Sequence, residues 1–193
     1  RIGTNFEYQN DLFLGIANSN FYEKIATNST ASAMQKKQEG NYWDSFIILD
    51  MNYDKRNQKF QTNSGFKSYY SVDLPIISET NTIKNYFNYS QYFKFFEKNF
   101  SSISIHLQSA NSLNNKDIKL SERITIPSSR LRGFEAGRIG PKDGDDFIGG
   151  NYAYSINFTS NVPQFFEESQ SLDFLIFADA ADIWGVDYNS SIK

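Results

Sequence analysis

The sequence alternates between apolar and polar residues with a period of two, and this alternation constrains the fold more than any other feature. The clearest segment covers residues 152–160, where Tyr152, Tyr154, Ile156 and Phe158 alternate with Ala, Ser, Asn and Thr. The same alternation recurs, strongly or weakly, in residues 3–9, 12–25, 41–54, 66–77, 86–97, 102–109 and 172–181. No segment keeps a period of 3.6 residues, so the pattern predicts β-strands and almost no helix.

The length of the alternating segments favours a membrane β-barrel. Strands of about ten residues cross a bilayer when tilted, whereas strands of soluble sandwiches average nearer five or six residues. The intervening segments also differ in length: residues 27–40 and 113–130 are long and polar, residues 55–64 are a polar connection, and residues 78–84 and 98–100 are short. Short turns at one end and long loops at the other are typical of outer-membrane barrels. A soluble all-β sandwich alternates in the same way and is the alternative.

The composition argues against several classes of function. The net charge is −3, which gives no electrostatic case for binding nucleic acid. The chain has no cysteine and a single histidine, His106, so a disulfide framework, thiolate chemistry or a histidine-based metal site has little to build on. The acidic residues Asp143, Asp145 and Asp146 lack the spacing of a calcium-binding EF-hand loop. We therefore expect no catalytic residues, no cofactor and no metal, and the protein is not expected to be an enzyme.

Residues 130–151, RLRGFEAGRIGPKDGDDFIGGN, form a long glycine-rich loop between two predicted strands. Gly137, Gly140 and Pro141 favour a tight reversal of the chain. A loop of this length within a compact domain is usually functional or disordered. Its apolar residues and regular glycine spacing argue against disorder, so the loop is the main candidate for function.

Three motifs in this sequence resemble signatures of the Omp85 superfamily, also described as the bacterial surface antigen D15 group. The first motif is an apolar residue with Arg-Gly-Phe, then Gly-Pro, then Gly-Gly-Asn: Leu131, Arg132, Gly133, Phe134, Gly140, Pro141, Gly149, Gly150 and Asn151. The second is FADAADIW, which includes Phe177 and Asp179. The third is DKRNQKFQTNSG, which includes Asp54, Arg56, Asn57 and Gly65.

The resemblance implies an antiparallel transmembrane β-barrel of 16 strands, of which this chain would hold roughly eight or nine. It also implies that the long loop folds back into the lumen, where the loop arginine meets the aspartate of the second motif. The residue pattern agrees, because Phe177 and Asp179 have the parity of the polar face. An arginine inside a barrel needs a carboxylate partner, so we predict the pair Arg132–Asp179. Two positions depart from the family pattern: Ala181 replaces a glycine, and Asn157 replaces an acidic residue.

The resemblance further implies a function in the assembly and insertion of outer-membrane β-barrel proteins, without ATP, in the bacterial outer membrane. The expected partners are unfolded outer-membrane protein clients, membrane lipids and lipoproteins of an assembly complex. A secretion translocator of the same superfamily and a passive porin-like channel are the alternatives. We expect residues 1–193 to be part of a longer protein, in which POTRA repeats precede this piece and the last barrel strands follow it.

Overall fold

The structure is a computed structural model that describes residues 1–162 and 174–187. These residues form ten β-strands, one short α-helix and one 3-10 turn. The strands are β1 (Ile2–Gln9), β2 (Leu12–Ile25), β3 (Gly40–Asp54), β4 (Gly65–Ile77), β5 (Thr82–Phe93), β6 (Ser101–Ser112), β7 (Lys142–Asp143), β8 (Asp146–Phe147), β9 (Tyr152–Val162) and β10 (Phe174–Trp184). The helix α1 covers Ala33–Lys37 and the 3-10 turn covers Leu120–Glu122.

Eight of the strands form one antiparallel sheet in the order β1-β2-β3-β4-β5-β6-β9-β10. Each strand pairs with the next along the chain, and β6 pairs with β9 because the small hairpin β7-β8 lies in the loop between them. Most strands have 11 to 15 residues. The prediction of an all-β antiparallel fold is confirmed. No helix in the described residues is long and apolar enough to cross a membrane.

The two faces of the sheet have the opposite polarity to those of a water-soluble sandwich. On β3, the apolar residues Trp43, Leu49 and Met51 are exposed, and Trp43 keeps 68% of its surface. The neighbouring Asp44 and Asp50 point to the other face, where Asp44 is fully buried. A sandwich buries its apolar face against a second sheet. An apolar face open along the whole sheet is what a bilayer requires, so the sandwich alternative is wrong.

The long loop of residues 113–151 lies against the polar face of the sheet, which we call the inner wall. The loop and the inner wall together form a hydrophobic cluster of buried residues: Ala110, Ile118, Ile124, Ile126, Leu131, Ala153 and Ile183. Backbone hydrogen bonds also link the loop to its neighbours. The Ala110 N–H of β6 donates to the Asn151 C=O at 2.7 Å, the Leu113 N–H donates to the Asn81 C=O of the β4–β5 connection at 3.0 Å, and the Asn151 N–H donates to the Trp184 C=O of β10 at 3.0 Å. The loop is therefore a packed part of the fold.

The arrangement of the connections differs in one respect from the expectation of short turns at one end and long loops at the other. We call the end that carries residues 26–39 and 113–151 the loop end, and the opposite end the turn end. Residues 78–81 form a connection of only four residues, yet the antiparallel order places it at the loop end. The short connection contacts the long loop directly, because Thr80 donates a hydrogen bond to Glu122 of that loop at 2.8 Å.

Two local predictions were also inaccurate. The loop predicted at residues 27–40 contains α1, which begins with a capping box between Ser32 and Gln35, and this Ser-x-x-Gln signal is visible in the sequence. The strand predicted at residues 86–97 begins earlier, at Thr82, and ends at Phe93. It ends there because the N–H of Phe95 donates to the side chain of Asn99 at 3.0 Å, not to a neighbouring strand. Of the strand predicted at residues 172–181, residues 172 and 173 lie outside the described residues.

The polarity of the faces predicts the effect of an arginine on each face. Leu107 points outward on β6 and keeps 46% of its surface, whereas the adjacent Gln108 points to the inner wall. Leu107→Arg should lower the free energy of unfolding by about 2–4 kcal/mol in lipid, because a charge on the lipid face is costly near the midplane. Gln108→Arg is the matched control and should change it by about 0.5 kcal/mol. Urea unfolding of the full-length protein in vesicles measures both, and equal effects would contradict a lipid-facing position for Leu107.

Candidate functional site

The side chain of Arg132 forms a two-pronged ion pair with Asp179 of β10. Its Nε donates to Asp179 Oδ2 at 2.7 Å and its Nη2 to Oδ1 at 2.6 Å. The backbone N–H of Arg132 donates to Oδ2 as well, at 3.0 Å. Two parallel charge-assisted bonds match the planar guanidinium to the carboxylate. This contact fixes both the backbone and the side chain of the loop at one position on the inner wall.

The surroundings of the ion pair exclude most water from the carboxylate. The Asp179 side chain is only 3% exposed, and that of Arg132 is 29% exposed. Arg132 Nη2 also donates to the Phe158 C=O and to Thr159 Oγ1, both at 3.2 Å. The guanidinium carbon lies 3.8 Å from the centre of the Phe177 ring, which adds a cation–π contact. The hydrogen bonds to Asp179 raise the pKa of Arg132, so the guanidinium stays charged.

Asn157 completes this network from the adjacent strand β9. Its Nδ2 donates to Asp179 Oδ1 and to the Arg130 C=O, each at 2.8 Å. An acidic residue at this position would place a second negative charge beside Asp179. An ionised carboxylate also has no hydrogen to donate, whereas the Asn157 amide donates to both the Asp179 carboxylate and the Arg130 carbonyl oxygen. The departure from the family pattern at position 157 therefore gives the aspartate an extra neutral donor. Arg130 lies nearby and donates to the Tyr86 hydroxyl at 2.5 Å.

The other residues of the first motif shape the path of the loop. Leu131 is buried in the hydrophobic cluster, whereas Phe134 is exposed and its N–H donates to the Leu131 C=O at 3.3 Å. Gly133 and Gly140 have φ values of 88° and 93°, which favour glycine. Pro141 is fully buried, and its carbonyl accepts a bond from the Ile148 N–H at 3.0 Å. The motif thus alternates between wall contacts and turns.

The Gly-Gly-Asn segment returns the chain to the wall through a narrow space. Gly150 and Ile124 exchange two backbone hydrogen bonds, at 2.8 and 3.0 Å. A Cβ atom on Gly150 would lie 2.6 Å from the Trp184 carbonyl oxygen, and one on Gly149 would lie 2.6 Å from the Ile124 carbonyl oxygen. The Asn151 N–H donates to the Trp184 C=O at 3.0 Å. Both glycines are needed because backbone lies directly against them on either side.

The third motif lies at the turn end. Arg56 Nε and Nη2 donate to the two oxygens of Asp54 at 2.8 and 2.7 Å, and the Asn57 side chain accepts from Ser64 N–H at 3.3 Å. Gly65 has a φ of 91°, and a Cβ there would lie 2.0 Å from the Lys55 carbonyl oxygen. These residues close the β3–β4 turn. In the described residues, no hydrogen bond or ion pair links them to the loop of residues 113–151, so the structure does not bring this motif to the Arg132 site.

Sequence reasoning missed a second charged group on the loop. Lys119 is 2% exposed and forms ion pairs with Asp44 of β3 and, at 2.8 Å, with Glu23 of β2. Glu122 accepts bonds from Thr80 and Thr82 at 2.8 and 2.7 Å. Burial alone would lower the pKa of Lys119, but its bonds to Asp44 and Glu23 raise the pKa above its usual value. Residues 118–124, IKLSERI, mix charged and apolar side chains, but nothing in this segment indicates the partners Glu23 and Asp44.

The chemistry of this site is structural and electrostatic. Its charged groups are paired with each other, and the carboxylates are arranged around cations of the protein itself. In residues 1–162 and 174–187, no group of three or more His, Asp or Glu side chains is placed to hold a metal ion. His106 points to the inner wall with a half-buried ring, and Asp145 and Asp146 are exposed at the β7-β8 hairpin.

Comparison with known proteins identifies the family. The model of the Omp85 superfamily domain matches residues 1–193. The chain belongs to the Omp85 superfamily. A SAM50-like protein of Schizosaccharomyces pombe is 35% identical over 85 residues, which are 42% of this chain and 18% of that protein. The crystal structure of BamA from Haemophilus ducreyi lacking POTRA domains 1–3 matches 95% of this chain and 41% of that one, with a TM-score of 0.78 and 19% identity.

These comparisons establish the fold and the membrane of this Omp85 chain. The likeness to BamA shows the same β-sheet fold, and membership of the superfamily places the chain in an outer membrane. The chain spans less than half the length of these two proteins. The closed cylinder of 16 strands stays a prediction, because the described sheet holds eight strands with β1 and β10 at its two edges.

The Arg132–Asp179 pair predicts strong coupling between its two residues. Arg132→Ala or Asp179→Ala should each cost about 3 kcal/mol of stability, because each leaves a poorly hydrated charge without its partner. The double variant Arg132→Ala/Asp179→Ala should cost much less than the sum of the two. Heat resistance of the folded full-length protein on gels measures all three. The exposed pair Glu135–Arg138, which is 3.4 Å apart, is the matched control, and Arg138→Ala should cost about 0.5 kcal/mol. Additive losses at Arg132 and Asp179 would contradict the coupling.

The narrow space at Gly150 predicts a steric cost. Gly150→Ala should destabilise the loop by about 1–3 kcal/mol, because the new methyl group overlaps the Trp184 carbonyl and Ile183. Gly40→Ala is the control, since a Cβ at Gly40 would have only ordinary contacts of 3.4 Å with the Tyr42 ring. Limited proteolysis of the loop in the folded protein compares the two variants. Equal cleavage rates would contradict the need for glycine at position 150.

Proposed function

We propose that this chain is part of an outer-membrane insertase, which accepts unfolded outer-membrane proteins and inserts them as β-barrels without ATP. The observation that carries the proposal is the packed loop with its Arg132–Asp179 pair on the inner wall of a lipid-facing sheet. Membership of the Omp85 superfamily and the fold shared with BamA support it. The proposal includes no chemical step, and the paired charges of the site are consistent with a mechanical role.

The physical basis is the cost of unpaired backbone groups in hydrocarbon. A client strand carries N–H and C=O groups that lipid cannot satisfy, so it enters the bilayer only when paired. A barrel that opens between two strands offers an edge to which a client strand adds by β-augmentation. The energy comes from the hydrogen bonds and apolar burial of the client itself. The insertase lowers the barrier by supplying the first edge.

The packed loop has a defined part in this mechanism. An opening barrel loses the strand pairing along one line, and its remaining wall needs support from inside. Residues 113–151 supply this support, because they bond to β2, β3 and β10 and fill the inner wall with a hydrophobic cluster. Loosening the loop therefore lowers the rate of client insertion. The partners in this proposal are unfolded clients, outer-membrane lipids and lipoproteins of an assembly complex, and no cofactor is involved.

The test is client assembly by the full-length protein in proteoliposomes. Arg132→Ala should lower the rate at which a urea-unfolded outer-membrane protein reaches its heat-resistant form, by more than it lowers the amount of folded insertase in the vesicles. Arg138→Ala should leave the rate unchanged, because that pair is exposed and lies away from the wall. If assembly falls only in proportion to the amount of folded protein, the loop has no part in insertion. If vesicles with and without the protein assemble the client at equal rates, the insertase proposal fails.

Two alternatives give different results in the same vesicles. A secretion translocator would release one partner protein into the vesicle lumen and would leave unrelated clients unfolded. A passive channel would conduct ions steadily in planar bilayers, whereas the packed loop of the proposed insertase occupies the inner space. We propose a bacterial outer membrane as the setting. The yeast relative makes the outer membrane of an organelle the other setting, and the source of the gene decides between them.

A further inference from the structure

The second charged group on the loop has a geometry that the Arg132 site does not explain. Residues 118–123, which we call the tie segment, lie at the loop end of the sheet. The N–H of Ile118 donates to Asp187 Oδ2, just after β10, at 2.7 Å. The side chain of the next residue, Lys119, binds Glu23 of β2 and Asp44 of β3. Two successive residues therefore bind parts of the wall that four strands of the sheet separate.

The contact of Lys119 is built as a buried site. The Lys119 side chain is 2% exposed and the Asp44 side chain is fully buried. The ammonium lies 4.7 Å from the centre of the Tyr42 ring, and Ser121 of the tie segment shares Glu23 with it, at 2.9 Å. A lysine that is buried this deeply needs its partners, because an unpaired buried charge is costly.

Two further residues bind the tie segment: Gln38, which follows α1, and Asp187, which follows β10. The Gln38 side chain, which follows α1, accepts a bond from the Leu120 N–H at 2.7 Å and donates to the Ile118 C=O at 3.3 Å. Arg123 donates to Asn151 Oδ1 at 3.0 Å and forms an ion pair with Asp187. Both carboxylate oxygens of Asp187 are therefore bonded to the tie segment, which makes this attachment as specific as that of Lys119.

We propose that the tie segment holds β2–β3 and the end of β10 at a fixed separation across the loop end, and that Lys119 is the residue that positions it. The Arg132 site attaches the loop only to the two adjacent strands β9 and β10, so it cannot set this separation. The tie does, because it bonds to both walls within two residues. This inference concerns the shape of the wall and does not depend on the proposed insertase activity.

The test is a distance measurement between spin labels on the two walls of the full-length protein in nanodiscs. Tyr22 of β2 and Asp182 of β10 are exposed, point outward and lie toward the loop end. Because the described sequence contains no cysteine, Tyr22→Cys and Asp182→Cys in an otherwise cysteine-free protein give one defined pair. Lys119→Met should shift the distance distribution to longer values and widen it. Lys119→Arg, which keeps the charge, should restore part of the narrow distribution.

Two further variants separate positioning from stability. Lys119→Met leaves Asp44 buried without its cation, so Asp44→Asn/Lys119→Met removes both charges and should fold while keeping the wide distribution. Lys116→Met is the matched control, because Lys116 is exposed in the same loop, and it should keep the narrow distribution. A narrow distribution in the double variant would overturn the proposal, because Lys119 would then only balance the charge of Asp44. Client assembly is not needed for the readout, so a failed insertase assay leaves this test intact.

Discussion

The inner wall of this sheet carries charges that are shielded from bulk water, and the fold depends on how they are neutralised. Asp44 and Asp179 are both buried on that wall, and each would be costly without a cation. A single loop supplies both cations, as Lys119 and Arg132. Because the outer face is apolar and contacts lipid, the sheet has no apolar core between two layers. The packing of the loop against the wall takes the place of that core.

This arrangement explains why the loop sequence is rich in both glycine and charge. The charged residues need wall partners, and the glycines let the backbone lie close enough to reach them. At Gly149 and Gly150 the loop backbone is in direct contact with two other backbone segments. At Asn157, the amide side chain bonds the loop and the wall at once, with no additional charge. The Asn151 side chain accepts a bond from Arg123 of the loop, and the Asn151 backbone N–H donates to β10. The loop therefore contacts the inner wall at several positions, and short polar contacts fix it there.

The sequence predicts much of this fold because alternation and strand length are local properties. The parity of residues 172–181 assigns Phe177 and Asp179 to the polar face, and the structure places both side chains next to Arg132. The Lys119 group was missed because its partners, Glu23 and Asp44, are 96 and 75 residues away along the chain, and no local pattern links them. The register of a distant loop against a wall depends on tertiary packing. The helix α1 is a different case, since its capping box was legible and was outweighed by the polar composition around it.

The connection at residues 78–81 has a consequence for how such a chain tolerates change. It is the shortest connection at the loop end of the described residues, and it contacts the tie segment, because Thr80 and Thr82 donate hydrogen bonds to Glu122. Surface connections in most proteins accept insertions freely. Extra residues in this connection would collide with the tie segment that Thr80 and Thr82 contact. We expect relatives of this protein to vary in length at residues 26–39 and to keep the connection at residues 78–81 short.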